Sequence, residues 1–289
     1  EQEFDVSSAT TMSCPDCFSG ALHKGIPQGR VTTLHGLDVY MTEPQNQQPA
    51  KGIIVVIPDV FGWEFPNARL IADRYADKGG YKVYLPDFMD GHAAPVSVLA
   101  NMRAIFGDAN LLSKAYHLIL ALLVVVPFFY RNRFGITHPR VKTFFAAVRA
   151  DEPALSLGAV GFCWGGKHTV LLAQGPTAGG GGDGRHDQPL IDAAFTGHPS
   201  FVVLPGDLEK LVVPLSIAVG SEDNQIPRAK AERVRPVIEA RNGEIIVYDG
   251  STHGFALRAS FPKDEKVDGP GEEAEDQCIA WFRKHFRAT

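Results

Sequence analysis

Leu155-Ser156-Leu157-Gly158-Ala159-Val160-Gly161-Phe162-Cys163-Trp164-Gly165-Gly166 is the stretch whose reading decides the fold. Its first eight residues, LSLGAVGF, make a short, nearly continuous apolar run, the pattern of a parallel strand buried on both faces. The run ends on Gly-x-Cys-x-Gly and a helix-forming segment follows, so the chain bends sharply from strand to helix at a cysteine. Glycines suit the positions two before and two after the bend, where a side chain would collide with neighbouring backbone. Such a turn is expected to expose the sulfur above the sheet, with the first amides of the next helix aimed at it. Cysteine is often simply a buried structural residue. Here the glycines, the strand-to-helix context and the lack of any Gly-x-Ser-x-Gly elsewhere make Cys163 the candidate nucleophile.

The same alternation extends outward from this bend. Upstream, Gly52 to Ile57 (GIIVVI) reads as a buried strand that ends at Pro58-Asp59, and Ala68, Ile71, Ala72 and Tyr75 give Pro66 to Lys78 a helical spacing. Lys82 to Leu85 is strand-like, and Leu111 to Val126 and His138 to Ala150 read as helices. Downstream come strands at Ile191 to Phe195, Val212 to Val219 and Ile245 to Tyr248, with helices at Pro227 to Arg241 and Glu272 to Phe286. His35-Gly36 between two β-like runs suggests a hairpin over Val31 to Met41. The pattern predicts an α/β fold: a mostly parallel central sheet with helices on both faces. A single domain is expected over residues 31–289, with residues 1–30 as an N-terminal extension packed on it.

Composition narrows the function. The chain has 289 residues, 45% of them hydrophobic and 21% charged, enough to bury a large core without staples. A formal charge of −5 gives no basic field for phosphate backbones or anionic lipid, so no nucleic-acid partner is expected. Cys14, Cys17, Cys163 and Cys278 are too few and scattered for a disulfide framework, and no secretory signal pattern opens the chain, so a cytoplasmic location is expected. Leu118 to Tyr130 (LILALLVVVPFFY) is uncharged but shorter than the ~20 residues needed to span a bilayer. It is expected to be a buried helix or a wall of the substrate pocket, without stable membrane insertion. The Gly-rich run from Gly175 to Gly184 lacks the following helix and Lys-Ser/Thr of a phosphate cradle and reads as a surface loop. Cys14 and Cys17 have no further ligands at zinc spacing, so a structural role is favoured and neither metal nor cofactor is expected.

A nucleophilic thiol needs a base, and the base needs an orienting acid, in the chain order nucleophile, acid, histidine for this fold. The loop after Val212–Val219 carries Gly220-Ser221-Glu222-Asp223, and the loop after Ile245–Tyr248 carries His253-Gly254-Phe255. Both lie at the carboxyl edge of the sheet, where such folds build their sites. His253 is the candidate base and Asp223 the candidate acid, with Glu222 as its alternative.

These segments resemble the dienelactone hydrolase family, particularly its fungal branch. The resemblance rests on Cys14-Pro15-Asp16-Cys17, Pro58-Asp59-Val60-Phe61-Gly62, Pro86-Asp87, Gly161-Phe162-Cys163-Trp164-Gly165-Gly166, Gly220-Ser221-Glu222-Asp223 with Pro227, and His253-Gly254-Phe255. It implies an α/β-hydrolase fold and a Cys163-His253-Asp223 triad, with an oxyanion hole from the backbone amides of Val60 and Trp164. It also implies control of thiol ionisation from Asp59, where bacterial members carry Glu. A bacterial arginine that holds the substrate carboxylate falls on Leu257, with Arg258 one residue further on; Arg103 is a second candidate. Trp63, with Leu118–Tyr130, suggests an apolar, aromatic-lined pocket; Phe255 and His198 are further candidates for substrate contact. The expected activity is hydrolysis of an ester or lactone through a Cys thioester, by a monomer or homodimer. Two alternatives stay open: cyclisation, acyl transfer or isomerisation at the same site, and a non-catalytic small-molecule binder on the same fold.

Overall fold

The structure, a computed structural model, describes residues 25–45, 48–108, 110–175, 188–258 and 269–287. The pair Cys14/Cys17, most of the N-terminal extension and nearly all of the Gly-rich run fall outside these residues. Near the start, β1 (Arg30–Leu34) and β2 (Leu37–Thr42) pair antiparallel across His35-Gly36. Both turn residues have positive φ, 52° and 79°, the condition of the two-residue hairpin turn whose twist matches its strands. The chain then runs β3 (Ile53–Ile57), α1 (Pro66–Gly79), β4 (Lys82–Pro86), α2 (Val98–Phe106), α3 (Leu111–Arg131), α4 (Phe134–Asp151), β5 (Leu157–Phe162) and α5 (Trp164–Ala173). It continues through β6 (Ala193–Gly197), β7 (Leu215–Gly220), α6 (Arg228–Glu239), β8 (Glu244–Tyr248), α7 (Phe255–Arg258) and α8 (Pro270–His285).

The strands form one sheet in the order β1-β2-β4-β3-β5-β6-β7-β8. β2 pairs antiparallel with β4, and every pair from β4–β3 to β7–β8 is parallel. This is the α/β-hydrolase architecture. Every residue of β3, β5, β6 and β7 is buried, as continuous apolar runs require when both faces are covered. Two glycines of β5 show what covers them. A Cβ on Gly158 would strike Phe282 of α8, and a Cβ on Gly161 would strike Thr169 of α5. Three positions apart on a strand, they point to opposite faces, so α8 and α5 lie on opposite sides of the sheet.

One expectation is corrected. The segment Leu118–Tyr130 is helical, within α3, but it is not buried: its inward residues are Ala121, Val125 and Phe128, whereas Leu123 is 68% and Tyr130 71% exposed. By length and composition alone α3 is apolar enough to cross a membrane. Apolar content by itself cannot tell a core helix from one whose outer face is also apolar, since both lack charges. Only the carboxyl-terminal turns reach toward the bend at Cys163, where Phe128 lies edge-on to Trp164 (6.3 Å between centroids) and Phe129 to Phe201 (5.8 Å).

Candidate active site

Cys163 stands between β5 and α5 with φ 51° and ψ −112°, a strained conformation for a side-chain-bearing residue. The strain is held in place by packing. A Cβ on Gly165 would run into the carbonyls of Ile57 and Pro58, so the start of α5 lies directly against the end of β3. That contact sets the Trp164 amide, first in its helix and without an intrahelical acceptor, beside the loop that carries Val60. Both residues are buried, each 1% exposed.

The candidate acid and the candidate base lie on adjacent loops. Gly220 ends β7 so close to Ser251 that a Cβ there would meet the Ser251 carbonyl, and Glu222 N donates to the same oxygen (3.0 Å). Asp223 turns inward while Glu222 stays exposed. Asp223 Oδ1 accepts from the amide of Gln225 (2.7 Å), which fixes the carboxylate, and Oδ2 lies 2.9 Å from His253 Nδ1. Both side chains are closed to water. Burial alone would lower the His253 pKa, but the charges of and hydrogen bonds to Cys163 and Asp223 outweigh it and hold the imidazole well above its ordinary value.

Ser200, which the sequence gave no reason to single out, touches both the imidazole and the thiol. Its Oγ is 3.3 Å from His253 Nε2 and 3.5 Å from Cys163 Sγ, and its amide donates to the Cys163 carbonyl (2.9 Å). It is fully buried, in a β6-terminal loop whose His198 and Phe201 both have positive φ (39° and 63°). The nearest sequence signal was the segment Gly197-His198-Pro199-Ser200-Phe201 at the carboxyl end of a strand.

The thiol itself departs from expectation, because Cys163 has no solvent exposure. The bend does raise it above the sheet, but Ser200 and His253 close in from their loops, and Trp164 beside it is packed against Phe128 and Phe134. A small molecule reaches the sulfur only when a covering element moves.

The remaining predicted residues divide. Asp59, fully buried, forms an ion pair with Arg258, which lies against Phe61 with its guanidinium carbon 5.3 Å from the ring centroid. Burial pushes the Asp59 carboxyl up to about 6 even though the Arg258 charge pulls the other way, and the charge of Cys163 adds to the rise. His198 is enclosed, 5.0 Å from the His253 ring and between Phe162 and Phe255. Burial first, then the charges of His253 and Arg258, keep it neutral by lowering its pKa well below the ordinary value. Phe255 opens the short helix α7 and packs on Tyr248 as well. Trp63 stacks under Arg69 (4.8 Å), which also donates to the Trp63 carbonyl. Arg103 belongs to α2. Among the described residues no cluster of His, Cys, Asp and Glu has the geometry to hold a metal ion.

Comparison with known proteins follows the same lines. The model of the Dienelactone hydrolase family matches residues 37–286. A protein called Hydrolase tropI, from Talaromyces stipitatus, is 28% identical over 98% of this chain and 99% of its own length. Hydrolase pyvD, from Aspergillus violaceofuscus, is 26% identical over 94% and 96%. In structure, a putative dienelactone hydrolase from Klebsiella pneumoniae superposes with a TM-score of 0.59, covering 86% of this chain and 93% of that one at 21% identity, a likeness of fold.

Proposed function

The chain belongs to the dienelactone hydrolase family, on its fungal branch, and from that membership we propose that it hydrolyses an ester or lactone through a thioester on Cys163. The observation that carries the reading is the connected set of contacts that joins Asp223, His253 and the sulfur at the strained bend, with Ser200 touching both imidazole and sulfur. In this reading the thiol proton passes to His253 Nε2, and the Cys163 thiolate adds to the acyl carbon. The amides of Val60 and Trp164 donate to the oxyanion. The intermediate collapses as the C–O bond breaks, with the imidazolium proton going to the leaving oxygen. Water, deprotonated by His253, then adds to the thioester, and the acid leaves as the sulfur is reprotonated. Asp223 holds the Nδ1 proton and the ring throughout. Ser200 Oγ accepts from the imidazolium Nε2–H while donating to the thiolate, an arrangement that suits the charge-separated pair.

Asp59 is the group facing both the sulfur and Arg258, which supports a role in setting the charge of the thiol. Arg258 is ion-paired to Asp59 and closed to water, which argues against a ready site for a substrate carboxylate. The aromatic side chains gathered at the bend, Phe128, Phe134 and Trp164, favour an apolar acyl or leaving group.

The test is intact mass after mixing with an activated ester. The wild type should gain one acyl group and release it, and Cys163→Ala should do neither; a Cys163→Ala protein that still acylates and turns over would sink the proposal. A second reading, cyclisation or acyl transfer at the same sulfur, is favoured by the enclosure of Cys163. Turnover in ¹⁸O-water separates the two: hydrolysis places one heavy oxygen in the acid, whereas transfer or cyclisation places none.

A further inference from the structure

The outer face of α3 is spaced for another helix. Leu112, Tyr116, Ile119, Leu123, Val126 and Tyr130 follow one another at intervals of four and three residues, the 3.5-residue mean repeat that keeps a straight apolar seam. Each is 59% exposed or more. A second row alongside, Leu111, Leu118 and Leu122, is 48% exposed or more. At roughly 100 Å² for each half-exposed or more exposed large side chain, the two rows leave on the order of 900 Å² of apolar surface in water. That exceeds the ~300–600 Å² of the largest patch on a typical monomer and meets the ~800 Å² per partner of a stable interface.

We propose that α3 pairs antiparallel with α3 of a second copy of this chain, about a two-fold axis level with Ala121. The length, about 31 Å at 1.5 Å per residue, is enough for several layers of side chains. The charges fit this direction. Asp108, exposed just before α3, and Arg133, exposed just after it, lie nearly equidistant from Ala121, so an antiparallel pair brings each Asp108 toward Arg133 of the second copy. A parallel pair would set like charges side by side at both ends. A bilayer is a poorer match. A spanning helix cannot have both ends return to one domain, and lifting α3 out would strip Phe128 from Trp164. An in-plane membrane helix gains from a cationic rim on an anionic surface; here Asp108 interrupts the rim that Lys114, Arg131 and Arg133 would make, in a chain of net charge −5.

Sedimentation equilibrium of the full chain tests this. The wild type should behave as a dimer at micromolar concentration. Leu123→Glu should weaken association at least about 100-fold while the far-ultraviolet circular dichroism of the folded chain holds, because the side chain is on the outside. Asp108→Arg should weaken it less, and the double variant Asp108→Arg/Arg133→Asp should recover most of the loss. A wild-type monomer at all concentrations, a dimer indifferent to Leu123→Glu, or failure of the charge swap would overturn the proposal. So would flotation of the wild type with phosphatidylserine–phosphatidylcholine vesicles that Leu123→Glu abolishes.

Discussion

At the scale of single residues, the hydroxyl of Ser200 and the carboxylate of Asp59 are where the proposed chemistry is most exposed to test. Ser200→Ala deletes the hydroxyl that touches both His253 Nε2 and Cys163 Sγ without opening a large cavity. The expected outcome is a fall in kcat of roughly 10- to 100-fold, below the ~100- to 10,000-fold of a group that itself transfers the proton, because Ser200 only touches the pair that does. The pH at which iodoacetamide labelling of Cys163 is half-developed should also move upward, and Ser200→Thr should recover part of both. A labelling profile identical to wild type would reduce Ser200 to packing. Asp59 makes a different prediction. Its folded-state value of about 6 lies above the ordinary carboxylate value of 3.8, so between those values the folded protein binds the additional proton. The sign follows: this group makes stability fall as pH rises through that window, by at most ~1.4 kcal/mol per pH unit. Asp59→Asn should therefore flatten the slope of urea-unfolding free energy between about pH 4 and 6.

At the scale of elements, the site is a matter of how closely two of them approach. α5 can start where it does only because Gly165 has no side chain against the carbonyls of Ile57 and Pro58. Gly165→Ala is expected to push α5 away from β3, separate the Val60 and Trp164 amides and move the sulfur from His253. A loss of about 2–4 kcal/mol, read from denaturant midpoints, should accompany loss of acylation. Gly135, at which nothing lies within 4 Å of an added Cβ, is the control: Gly135→Ala in α4 should be neutral or stabilising by up to ~1 kcal/mol. At this scale the sequence was informative about strands and poor about surroundings. IIVVI and LGAVGF are strands because continuous apolar, β-branched runs of that length satisfy only a covered sheet position. The short helix α7 is not legible in the sequence, since four residues give no periodicity to detect. α2 went unread, and α3 was recognised as a helix but placed in the interior.

For the whole molecule, the buried His253 links stability to pH. Its folded-state value stands well above the ordinary 6.5, so the stability it brings is present below pH 6.5 and lost as pH climbs through the raised value. Unfolding free energy should fall on the alkaline side of neutrality, and Cys163→Ser, whose hydroxyl stays neutral, should shrink that fall because the charge of Cys163 is one cause of the raised value; an unchanged slope would count against a charged pair at the site. The sequence by itself determined the sheet, its order of elements and the loops at its carboxyl edge that carry Cys163, Asp223 and His253, because alternation of buried strands and amphipathic helices is a local property and strand-end loops have few places to go. Only the tertiary structure decided that Asp223 and not Glu222 faces the imidazole, that Ser200 touches both imidazole and thiol, that Asp59 is bound to Arg258, and that the sulfur is enclosed while α3 is not. Those facts depend on distances between segments remote in the chain, and burial is a relation between surfaces that the residues of one segment do not carry.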